Sequence, residues 1–206
     1  MNQLRPCLVV TSVLFALCCL VYPGVVTAGA QVLFPGPANG SLIERDGKTM
    51  GSTLIGQSIT DWAAHPEYFW GRPTAASNDA ATGITNSSGS NYGPSSSVLL
   101  DEVKARVAIL RASGVTSKIP VDLVTKSASG LDPHLSPASV EIQVPRIAAI
   151  RGLPTSVVRE LVAAHTEQSS FGFVGEPRVN VLLLNLELDR RAPYAHPAAA
   201  GTTSAK

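Results

Sequence analysis

Between Arg5 and Glu44 the chain carries no charged residue at all. Every acidic residue, and every basic one except Arg5, lies beyond that stretch. Its apolar run, PCLVVTSVLFALCCLVYPGVVTAGAQVLF from Pro6 to Phe34, exceeds the roughly 20 residues a helix needs to cross about 30 Å of hydrocarbon. Thr11, Ser12 and Thr27 are its few polar members and can bond back to carbonyls of their own helix. Pro23-Gly24 predicts a kink, and Gly24 with Ala28 forms a small-xxx-small pair suited to close packing on a neighbouring helix.

Two readings fit this stretch equally well. It is a retained membrane anchor, or a cleaved signal peptide that starts at Arg5, has its apolar region over Leu8 to Tyr22 and is cut at Ala28-Gly29-Ala30. Both place Arg5 on the cytoplasmic side and everything after Phe34 outside. Lipidation is disfavoured because Cys18 and Cys19 follow Leu17 and Cys18 rather than a small residue. All three cysteines lie in the apolar stretch, so the rest of the chain is no disulfide scaffold.

A formal net charge of +1 argues against a nucleic-acid partner, which calls for a concentrated basic face. The 206 residues suit one ordinary domain plus this appendage. The pattern predicts a mixed α+β domain. Gly40 to Gln57 reads as a hairpin turning at Asp46-Gly47, a dipeptide suited to a type I′ turn. Tyr68-Phe69-Trp70 concentrates aromatics, as core or as interface. Thr74 to Ser97, rich in Ser, Asn, Gly and Pro, reads as a long loop.

Val98 to Ala112 is predicted helical, with Leu99, Val103, Val107 and Leu110 on one face and Gly114 beyond its end. Lys118 to Ser139 reads as a short strand followed by turns. Ala138 to Ile150 is predicted helical with an interruption at Pro145. Leu153 to Thr166 follows as a helix, striped by Val157, Val158, Leu161, Val162 and His165. Arg178 to Asp189 reads as an alternating strand, with Leu184, Leu186 and Leu188 opposite Asn185 and Glu187. The tail from Ala192, made of Ala, Pro and Thr, is predicted to be disordered.

No catalytic constellation stands out. No lysine follows Gly83 or Gly89 in phosphate-loop spacing, and Ser90 lacks the spacing of a nucleophile elbow. His65, His134, His165 and His196 have no zinc-ligand spacing, so no metal site is expected. Asp132-Pro133-His134 reads as a turn in which the aspartate accepts backbone hydrogen bonds, rather than as part of a hydrolase triad. A secreted hydrolase and an exported solute-binding module stay open as alternatives.

Longer strings say more. LRP opens at 4–6, ANGSLIERDGKTMGSTLIGQ runs through 38–57, YFWGRPT through 68–74 and SGSNYGPSS through 88–96. LVTKSASGLDPHLSPASVEIQVPRIAAIRGL covers 123–153, and HTEQSSFGFVGEPRVNVLLLNLELD covers 165–189. In order and spacing the chain resembles the C-subunit family of the Kdp potassium-transporting ATPase up to Asp189. It departs from the family pattern at Trp70, Tyr92, Ser96, Lys126 and Pro154.

The resemblance implies a cytoplasmic N-terminus (1–6), a retained transmembrane helix (7–33), an extracytoplasmic α+β domain (34–190) and a disordered tail (191–206), in a bacterial cell membrane. It implies a non-catalytic subunit, in contact with membrane lipid, that joins a channel-like potassium-translocating subunit and a P-type ATPase subunit. There it would act as a catalytic chaperone that raises the ATPase subunit's affinity for ATP. ATP and potassium are then used by the complex, with no cofactor held by this chain.

Gly24 and Ala28 become the membrane packing residues. Ser88, Gly89, Ser90, Asn91, Gly93, Pro94 and Ser95 become a loop that meets nucleotide or another subunit, with Tyr68, Phe69 and Trp70 beside it. Glycine and serine amides suit an anion, but this topology puts the loop outside, where ATP is scarce. An effect through conformation is therefore expected in place of direct contact.

Overall fold

The computed structural model describes residues 3–45, 47–57, 59, 61–78, 85–169, 172 and 174–194. The chain divides into two compact units, Met1–Ser52 and Thr53–Lys206.

The first unit is built on one continuous apolar helix, Leu4–Leu33, of 30 residues. At 1.5 Å per residue it is about 45 Å long, enough to cross a bilayer with tilt. It has three parts: α1 (Leu4–Phe15), a π-helical stretch (Ala16–Val21) and α2 (Tyr22–Leu33). The wide turn directly precedes Pro23, whose ring and missing N–H disturb the turn before it. The predicted irregularity thus takes the form of a π-bulge. A short α3 (Pro35–Ala38) follows.

Then β1 (Leu42–Arg45) pairs antiparallel with β2 (Lys48–Ser52). Arg45 faces Lys48 across a two-residue connection in which Gly47 has φ +72°, as the predicted hairpin requires. Asp46, its partner in the turn, lies outside the described residues. The hydroxyl of Ser52 closes the hairpin base by donating to the Gly40 carbonyl at 2.7 Å.

In the second unit, the region expected to be a long loop pairs once with itself, through β3 (Ser77–Asn78) and β4 (Thr85–Asn86); residues 79–84 between them lie outside the described set. Next come α4 (Ser97–Ala112), a 3-10 turn (Val121–Leu123), β5 (His134–Leu135), α5 (Pro137–Glu141) and α6 (Val144–Arg151). α7 (Thr155–Ala164), β6 (Thr166–Glu167), β7 (Arg178–Asn180) and α8 (Val181–Arg191) complete it. β5, β7 and β6 form an antiparallel sheet in that order. Phe69, Trp70, Leu110, Leu123, Val140, Ile147, Val158, Leu161, Leu184 and Leu188 fill the core.

Local expectations for α4, α7 and the break at Pro145 hold: Pro145 occupies the first turn of α6, where its missing N–H costs nothing. Only Leu110 of the α4 face is fully buried, while Val103 and Val107 pack at the core's margin. Two expectations fail. The strand expected soon after Lys118 is a 3-10 turn, and only His134 and Leu135 pair as a strand.

Arg178 to Asp189 is a strand for just three residues and then helix. Asn180 caps that helix, its side chain accepting from the Leu183 N–H at 3.1 Å. Val181, Leu184 and Leu188 then share the inner face at helical spacing, and Asn185, expected outside, is buried. Arg191, assigned to the tail, ends α8; residues 195–206 lie outside the described residues.

Candidate functional site

The 88–96 loop rests on the Ser127–Asp132 segment by close backbone approach. Ser88 donates its N–H, and Ser87 its hydroxyl, to the Ser129 carbonyl at 3.0 and 2.8 Å. A β-carbon on Gly89 would stand 2.8 Å from the Ala128 carbonyl oxygen. One on Gly130 would stand 2.7 Å from the Ser88 oxygen and 2.8 Å from the Ala76 nitrogen. Gly130 also has φ +68°, a conformation open mainly to glycine. Thr74 locks the seam: its hydroxyl donates to the Gly130 carbonyl at 2.6 Å and accepts from the Ala76 N–H at 2.8 Å.

The seat is itself braced. Ser127 and Ser129 hydroxyls accept from the Gly130 and Leu131 N–H groups. Arg72 donates to Asp132 and to the Lys126 carbonyl, both at 3.2 Å. Asp132 accepts from the His134 N–H at 3.0 Å, which is the predicted turn chemistry. His134 Nδ1 also lies 3.3 Å from Asp132 Oδ1, in an open groove of about 660 Å³ shared with Ser127 and Ser129. Ser127 and Ser129 turn their hydroxyls to the Gly130 and Leu131 N–H groups rather than to that histidine.

Further along the loop, Asn91 has φ +51°, and Ser96 donates its N–H to Gly93 across the Pro94-Ser95 turn that leads into α4. The Tyr92 hydroxyl lies 3.4 Å from the Glu102 carboxylate, and the Lys126 ammonium sits 5.6 Å from the Tyr92 ring centre. Tyr92 and Lys126 thus meet across one carboxylate. Burial alone would raise the Glu102 carboxyl. Hydrogen bonds from Lys126 at 3.0 Å and Arg106 at 2.9 Å outweigh it and hold the group below the usual carboxylate range. The predicted loop residues are therefore brought together as a docked, largely exposed surface.

The aromatic cluster is placed differently. Phe69 and Trp70 are buried, so of the two readings left open for them core holds and interface does not; of the three only Tyr68 stays partly exposed. Their backbone runs between two helices and is matched by side-chain amides in place of a neighbouring strand. Asn185 accepts from the Phe69 N–H at 2.9 Å and donates to its carbonyl at 3.0 Å. Gln143 does the same for Trp70, at 2.8 and 3.1 Å. Arg146 stacks 3.8 Å over Trp70, which stacks in turn on Trp62 at 5.1 Å.

Burial pulls Arg146 down to about 9, against the opposing pull of Glu67, so it stays cationic at neutral pH. Arg151, its side chain fully buried, donates to the Glu67 carbonyl and pairs with Asp189 at 2.8 Å; Asp189 also accepts from Tyr68. Burial, reinforced by Asp189, raises the Tyr68 phenol. Sequence reading missed this network. Its only sign was amides and arginines recurring among apolar residues of α6 and α8.

In the other unit, Gly24 and Ala28 lie one turn apart on α2 and are both exposed. Among the described residues no three His, Cys, Asp or Glu side chains converge as metal ligands.

Residues 4–190 match the family model of the K+-transporting ATPase c chain. A potassium-transporting ATPase KdpC subunit from Polaromonas naphthalenivorans is 52% identical over 202 residues, covering 95% of this chain and 98% of that protein. A KdpC subunit from Gemmatimonas aurantiaca is 52% identical over 190 residues, covering 92% and 93%. A third, from Sorangium cellulosum, is 53% identical over 189 residues, covering 91% and 97%. With the match running from the apolar helix through α8, the chain belongs to the KdpC family, the c chain of the K+-transporting ATPase.

Proposed function

We propose that this chain is a non-catalytic, membrane-anchored subunit of a high-affinity, ATP-driven potassium uptake system. The single observation carrying this reading is the match over 4–190, which includes the apolar helix. A segment inside the family's own boundaries fits a retained anchor better than a removable signal. Arg5 at its start favours a cytoplasmic N-terminus and an extracytoplasmic α+β domain. The partners are a channel-like potassium-translocating subunit and a P-type ATPase subunit, which handle potassium and ATP.

The chain raises the ATPase subunit's affinity for ATP by binding one transporter state better than another, without touching nucleotide. Any ligand that prefers the same state then binds more tightly. The docked 88–96 loop suits such a role, since a rigid surface loses little freedom on meeting a partner. Deleting the gene in a strain without a second high-affinity potassium system should abolish growth at very low potassium, and normal growth would overturn the reading. Ser90→Cys should react with an impermeant maleimide in intact cells; reaction only after permeabilisation would reject the outward placement.

A further inference from the structure

The apolar helix carries a polar defect at its centre. Leu4–Leu33 has its midpoint between Cys18 and Cys19, within the π-helical stretch. In a helix, a carbonyl finds its donor four residues on, or five in a π turn. For Cys18 these are Tyr22 and Pro23. Tyr22 gives its N–H to Leu17, and Pro23 has none to give. Cys18 therefore keeps a backbone acceptor that its own helix cannot satisfy. Between Ser12 and Thr27 the only hydroxyl is the Tyr22 phenol, at the far end of its ring.

At a helix terminus, water or headgroups would serve such a group. At the middle of a span there is neither, and unpaired backbone in hydrocarbon is strongly disfavoured. Residues 16–28 around it are all exposed. Gly24, just past the proline, has nothing within 4 Å of where a β-carbon would stand, so another helix can come close there.

We propose that the Cys18 carbonyl is an intermembrane-helix contact point, taking a hydrogen bond from a spanning helix of another subunit that presents a hydroxyl or side-chain amide at mid-bilayer depth. This rests on the reading of the chain as a membrane subunit. It adds where the anchor is gripped and by what chemistry. The π-bulge and Pro23 then serve recognition: they strip one carbonyl of its internal donor and offer it to a neighbour.

The test uses the full chain with a 13C=18O carbonyl at residue 18, in lipid, alone and assembled with its co-purifying subunits, read by isotope-edited infrared spectroscopy. The labelled band should move to lower frequency on assembly. In Pro23→Ala, which restores an N–H, the band should already lie low in the isolated chain and shift little. The same variant should weaken retention of the other subunits by about 3-fold to 15-fold, the range for one hydrogen bond between membrane helices.

An unchanged band on assembly of the unsubstituted chain overturns the proposal while leaving the subunit reading intact. A shift that appears in the isolated chain at high protein-to-lipid ratio marks self-association and overturns it too. Failure of the unsubstituted chain to co-purify with any other subunit rejects the subunit reading itself, and the proposal with it.

Discussion

Replacing Asn185 by leucine isolates the amide clamp on the aromatic segment. The substitution keeps the number and branching of side-chain heavy atoms on a helix that favours leucine, so propensity changes little, and the packing strain of the bulkier methyls adds to the loss rather than offsets it. It removes both partners of Phe69, whose N–H and carbonyl meet Asn185 at 2.9 and 3.0 Å in a fully buried setting. Each stranded backbone group costs about 1–3 kcal/mol. Burying an apolar side chain in place of an amide returns part of that, leaving a net loss of roughly 2–4 kcal/mol. For a unit of this size, each kcal/mol lowers Tm by about 2–4 °C, so the expected drop is about 5–15 °C. Thermal melts of the full chain in detergent, followed by near-ultraviolet circular dichroism of the stacked Trp62–Trp70 pair, would record it. Asn185→Asp keeps the acceptor for the Phe69 N–H but sets a buried carboxylate against the Phe69 carbonyl, so at neutral pH it should destabilise at least as much as leucine and recover in acid, where the protonated carboxyl donates to that carbonyl. A Tm for Asn185→Leu within about 1 °C of the unsubstituted chain would refute the idea that side-chain amides stand in for a strand here.

Two further outcomes follow from the loop and its seat. Glu102 is held below the usual carboxylate range by Lys126 and Arg106, so its contribution is present above the unfolded value of about 4.3 and lost as pH falls through the lower folded value. Glu102→Gln should flatten the acid side of the Tm-against-pH curve by an amount worth about 0.5–1 kcal/mol; an unaltered slope would show the cluster contributes nothing. Gly130→Ala should cost about 2–4 kcal/mol, because φ +68° and contacts of 2.7 and 2.8 Å both oppose a β-carbon. It should also speed hydrogen exchange at Ser88. Gly93→Ala, with nothing within 4 Å, should stay within about 0.5 kcal/mol of the original, and equal effects of the two would remove the case for a docked loop.

The features legible in the sequence were those decided within one element. Asp46-Gly47 between two β-capable runs, the apolar face of α4, the stripe of α7 and the stop at Pro145 need no distant partner to be read. The element at 181–191 was misread because its inner face holds an amide. With Asn185 taken as outward, Leu184, Leu186 and Leu188 alternate as in a strand; only the backbone of Phe69, far away in sequence, explains a buried asparagine at that position. Trp70 and Phe69 looked like interface or core with equal reason until Gln143 and Arg146 closed over them. Gly89 and Gly130 were visible, but not their cause, which is the carbonyls of Ala128 and Ser88 lying too near for any side chain. In the apolar helix an irregularity at Pro23-Gly24 was legible, whereas its π-helical form was not.

The claim that the chain strengthens nucleotide binding from the far side of the membrane is tested most directly by equilibrium ATP affinity of the assembled transporter, measured with this chain present and with it removed. Removal should weaken ATP binding about 5-fold or more, the scale of an ordinary coupling between sites. By reciprocity, saturating ATP should tighten retention of the chain by the same factor. An ATP affinity unchanged by removing the chain would contradict the account.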